Sequence, residues 1–147
     1  MISSQYLPFF YYGFLIIVCG YAIKRGHREE YIGAAIMFAG SVATGIVARV
    51  FGTAWSHREY GILGVDLLAL LALIYVMIRS DRFWPIWATA FHLLAVTIHV
   101  AMMVAPEITP WAFATGAGFW AYPMLLALAI GTNEYVRPDE INHIPSG

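Results

Sequence analysis

Charge is scarce in this chain. Only 12% of its 147 residues are Asp, Glu, Lys or Arg, against roughly 25% in an ordinary soluble domain. A water-soluble fold of this size needs far more polar surface to cover its core. The formal net charge is −1, which leaves none of the basic footprint that nucleic acid demands. Cysteine is rarer still: Cys19 stands alone in an apolar run, so an internal disulfide and every cysteine-based metal spacing are excluded. The phosphate-binding glycine loop, the Ser–His or Cys–His nucleophile motif and HExxH are all missing. So is the period-2 alternation of a membrane barrel.

What the chain has in abundance is apolar length. Hydrophobic residues make up 61% and aromatics 16%, with a mean hydropathy of +0.70. Five apolar stretches stand out, at about residues 7–23, 31–51, 60–78, 83–104 and 111–130. A helix rising 1.5 Å per residue needs ~20 such residues to cross the hydrocarbon core. Backbone groups in lipid must be satisfied within the segment, which selects helices, and the short connections force neighbours to be antiparallel. Residues 1–130 are therefore expected to form one bundle, followed by a polar cytoplasmic tail over 131–147. The first stretch lacks a positive segment before it and is followed by Lys24, Arg25 and Arg28, the pattern of a retained helix, not a cleaved leader.

Orientation follows from the basic residues. Lys24, Arg25, Arg28, Arg79, Arg82 and Arg137 fall on one side, and only Arg49 and Arg58 toward the other. The expected fold is an all-α integral membrane protein, a five-transmembrane-helix antiparallel bundle, with its N-terminus outside and its C-terminus cytoplasmic. Aromatic residues gather near segment ends as interfacial anchors do: Phe83, Trp84 and Trp87 on the cytoplasmic side, Trp55, Tyr60 and Trp111 outside. Asp81 is a possible cap for the fourth helix, with Pro85 near its start. Gly26, Gly52 and Gly131 are expected to follow helix C-termini, and Pro123 to kink the last helix. The charge run 24–30 is expected to be a solvated loop. Small residues four apart, such as Ala35, Ala39 and Ala43, or Ala112 and Gly116, permit close helix approach.

Four residues make a candidate polar cluster. Asp66 interrupts the third stretch, and an intramembrane carboxylate is costly unless paired or hydrated. Arg49 lies near the outer end of the adjacent helix and is expected to pair with it. His92 and His99 are seven apart, hence on nearly one helix face and about 10 Å apart along the axis. That is too far for one zinc ion, whose ligand bonds are about 2 Å. Three readings stay open: a buried Arg49–Asp66 pair that fixes register, a proton, ion or ligand site, or a contact with another subunit. The histidines read as hydrogen-bonded glue between helices, as proton-transfer groups, or, singly, as the ligand of one haem or (bacterio)chlorophyll. Trp120 and Tyr122, mid-segment beside Pro123, could stack on a flat ligand such as a quinone or pigment, or pack on a neighbouring helix. No cofactor and no metal is expected.

No catalytic residue emerges, so an enzyme is not expected. The foremost expectation is a small accessory or structural subunit of a larger membrane complex, with an energy-transducing host, respiratory or photosynthetic, as one possibility. Its partners would be lipids and other transmembrane subunits. The alternative is a stand-alone carrier or sensor of a proton or small ligand, working through Arg49, Asp66, His92 and His99. A bacterial inner membrane is the expected location.

Overall fold

The computed structural model describes residues 7–50, 55–105 and 119–141. Its regular secondary structure is all helical, with no strand among the described residues. Among the described residues the helices are α1 (Leu7–Arg25), α2 (Arg28–Val50), α3 (Trp55–Arg79), α4 (Trp84–Val104) and α5 (Ala121–Ile141). Each packs against its sequence neighbours, and α5 closes the ring against α1 while also touching α2. The ends of α1 and α3 and the starts of α2 and α4 share one end of the ring, called here the basic end after Lys24, Arg25, Arg28, Arg79 and Arg82.

Three helices are long and apolar enough to cross a membrane: Arg28–Val50, Tyr60–Arg79 and Trp84–Val104. Their outward surfaces match that solvent. Leu67, Leu68, Leu71, Ile78, Leu93 and Ile46 are exposed, which in water would forgo about 25 cal/mol for every Å² of apolar surface left uncovered and in lipid does not. The core is correspondingly thin, centred on Leu15, Ala22, Leu73, Leu125 and Leu128, each almost wholly buried.

Local chemistry sets the ends. Residues 26 and 27 alone connect α1 to α2. Gly26 donates its N–H to Ala22 O at 2.8 Å, and a Cβ there would lie 2.5 Å from the Cβ of Glu30, so the turn admits no larger residue without moving one of them. At α4 the N-cap is Phe83, with no side-chain capping bond. Asp81 therefore does not cap this helix. Pro85 occupies the first turn, where its missing N–H has no partner to lose.

The last helix departs most from expectation. Its first turn contains Pro123, whose ring crowds the carbonyl four residues back. The apolar segment consequently breaks at Trp120, which lies in a turn, and a fresh helix begins at Ala121. It runs on to Ile141, through the segment 131–141 that was expected to be a polar tail. Gly131 is thus inside a helix, not at its end. Residues 111–118 of the expected fifth span, with the pairs Ala112/Gly116 and Ala114/Gly118, lie outside the described residues.

Candidate functional site

The polar interior is organised along α4. Its residues Trp84, Ala88, Thr89, His92, Ala95 and Val96 are buried, and at 100° per residue they fall on one inward face with His99. Opposite them on α3 stands Asp66. The His99 Nε2 lies 3.2 Å from Asp66 Oδ2. The His92 Nε2 lies 2.9 Å from the Asp66 backbone oxygen. A carbonyl only accepts, so His92 carries its proton on Nε2.

One residue holds two histidines because α3 and α4 run in opposite directions. A helical carbonyl points toward its own C-terminus, whereas the Cβ leans toward the N-terminus. The carbonyl of Asp66 therefore reaches toward the basic end, to His92. Its carboxylate reaches the other way, to His99, two turns further along α4. The Asp66 and His99 side chains keep 14% and 17% of their exposure, so the pair is mostly withdrawn from solvent but not sealed. Two polar atoms along this face of α4 are buried without a partner among the described residues: His99 Nδ1 and Thr89 Oγ1.

Arg49 does not join this group. It is exposed near the end of α2, and among the described residues no ion pair links it to Asp66. Adjacency of α2 and α3 does not by itself fix which way a side chain faces, and Arg49 is exposed. The cluster brought together is Asp66, His92 and His99. Trp120 and Tyr122 are also placed otherwise than as open platforms. Trp120 stacks on Phe91 with ring centres 5.9 Å apart and meets Phe119 edge-on. Tyr122 packs between Tyr11 at 5.7 Å and Phe14 at 6.0 Å. The Nε2 atoms of His92 and His99, which a haem or chlorophyll metal would take, both face Asp66.

A second polar centre at the basic end escaped the sequence. Glu30, assigned to a solvated charge run, is fully buried. Its Oε2 accepts the His27 backbone N–H at 2.9 Å, the reach-back of an N3 glutamate to the residue before the helix. Its Oε1 accepts the Trp84 indole N–H at 3.1 Å. Arg82 approaches from the connection before α4, with Nε 3.4 Å from Glu29 Oε2 and 3.9 Å from Glu30 Oε1. Trp84, expected in an interfacial belt, is instead 3% exposed, its indole lodged against Gly33 of α2 and Gly131 of α5. A Cβ at either glycine would overlap the ring. The available signal was Glu-Glu three positions after a Gly-His turn, legible as a helix start only once the start is known.

No group of three or more His, Cys, Asp or Glu among the described residues could hold a metal ion. No protein-family model matches the chain, and neither a curated protein nor a solved structure is significantly similar to it.

Proposed function

We propose that the chain is an integral membrane protein of five spans, N-terminus outside and C-terminus cytoplasmic, that serves as a stand-alone carrier or sensor of protons or a small polar ligand through Asp66, His99 and His92. The observation that carries the reading is the identity of the partner of Asp66. An arginine would hold the carboxylate with a fixed charge, as a permanent clamp. A histidine does so only while its imidazole is protonated. The strength of the Asp66–His99 contact therefore follows the presence of a proton, and intramembrane ionisable groups are functional candidates by default. The placement of basic residues supports the orientation, and a bacterial inner membrane suits the compact connections.

A second reading, the accessory subunit of a larger membrane complex, is favoured by the outer aromatic ladder. Phe83 and Trp87 pack edge-on, Trp87 continues to Phe91, and Trp120 and Phe119 complete the row. Phe83 and Phe119 are mostly exposed, available to a neighbouring helix.

Purification in mild detergent and infrared difference spectra between acid and neutral pH test both. The first reading expects a small monodisperse protein with a titrating carboxyl band that vanishes in Asp66→Asn. Stable co-migration with larger subunits, together with spectra that Asp66→Asn leaves unchanged, overturns it in favour of the second.

A further inference from the structure

A hydroxyl in an apolar helix normally satisfies itself on the carbonyl four residues back. Thr97 and Thr132 do so, donating to Leu93 O and Leu128 O at 2.8 Å each. Thr89 does not. It is 7% exposed, and its Oγ1 is buried without a partner among the described residues. His99 has the same character on its far ring atom, Nδ1. Unmade bonds of this kind are costly inside a protein and are ordinarily met by internal water. The two orphaned atoms flank His92 on one face of α4. Thr89 is about 4.5 Å below it along the axis and His99 about 10.5 Å above.

We propose that an internal chain of water lines this face of α4 and passes protons between the Asp66–His99 pair and Thr89, with His92 as the relay. The inference rests on the proton-responsive reading above. His92 donates Nε2–H to the Asp66 carbonyl, so the neutral ring offers Nδ1 as an acceptor. Protonated His99 releases its Nδ1 proton to water and becomes neutral. Water delivers a proton to His92 Nδ1, which becomes cationic. His92 returns it from Nδ1 to the water held by Thr89 and regains its starting tautomer. Each step moves one proton; the hydronium formed at Thr89 passes its proton to bulk water at the basic end, and bulk water at the opposite end recharges His99.

The surrounding charges are few. From α3, Asp66 faces this column. From α2, Glu30 lies at the basic end, held by Trp84 and His27, with Arg82 of the preceding connection beside it. From α5, Tyr122 is engaged with Tyr11 and Phe14, and Glu134 is exposed.

The test uses the full chain in vesicles of phosphatidylethanolamine and phosphatidylglycerol with a trapped pH dye, driven by a potassium gradient and valinomycin. The parent should acidify the lumen several-fold faster than protein-free vesicles. Thr89→Val, equal in shape and lacking the hydroxyl, should fall to the protein-free rate, and Thr89→Ser should retain transfer. A parent rate equal to that of empty vesicles, or a Thr89→Val rate equal to the parent, overturns the proposal. If Thr89→Val does not fold, the parent alone decides: its pH-difference infrared spectrum must show a weakly bonded internal water O–H stretch, and absence of that band overturns the water chain. A titrating Asp66 band without proton transfer discards the water chain and leaves the proposed function standing. Loss of both discards both.

Discussion

At the scale of single residues, the two glycines around Trp84 are where size matters most. The indole N–H is committed to a buried carboxylate, Glu30, so the ring cannot turn away from an added methyl group. Gly33→Ala drives a Cβ into Trp84 Cη2 and should cost about 1–3 kcal/mol, the usual range for overpacking. Thermal unfolding in detergent measures this, and an unchanged midpoint would show that the ring yields freely. Residue chemistry was only partly legible in the sequence. Asp66 and the two histidines stood out because ionisable groups in apolar runs need partners. Counting residues gives their order along each helix but not their azimuth, and Arg49 is exposed with no ion pair to Asp66 among the described residues. Glu30 was hidden for a different reason. Its burial depends on Trp84, 54 positions away, and no local pattern announces such a contact.

Among the elements, apolar length was the dependable signal. α2, α3 and α4 fall where runs of suitable length occur, with ends shifted by a few residues as polar first turns join the helix. Composition does not mark the end of α5, which runs to Ile141. Polar residues after Ile130 read as a tail, yet Gly131 and Thr132 are buried, with Thr132 bonded to Leu128 O. Packing against α4 thus holds the helix together past the end of its apolar stretch. A chain ending at Ile130 should accordingly unfold at lower temperature than the parent, with Trp84 fluorescence moved toward longer wavelength as the ring meets water. Identical unfolding of the two would assign the segment no packing role.

For the whole molecule, a thin core and an apolar exterior state the solvent more clearly than they state the task. The orientation can be checked with membrane-impermeant maleimides. Native Cys19 is 5% exposed and should react slowly, so single introduced thiols dominate. Arg28→Cys and Arg49→Cys sit on exposed positions near opposite ends of α2. The first should be labelled only from the cytoplasm and the second only from outside, and labelling of both from one face would refute the arrangement. Finally, α4 is fastened twice, near its start through Trp84 to Glu30 and toward its finish through His99 to Asp66. Screwing it along its axis by one turn, about 5.4 Å, would undo both fastenings together. The bundle therefore holds α4, α3 and the head of α2 in one axial register, and the Trp84 indole lodged against Gly131 ties α5 to the same unit.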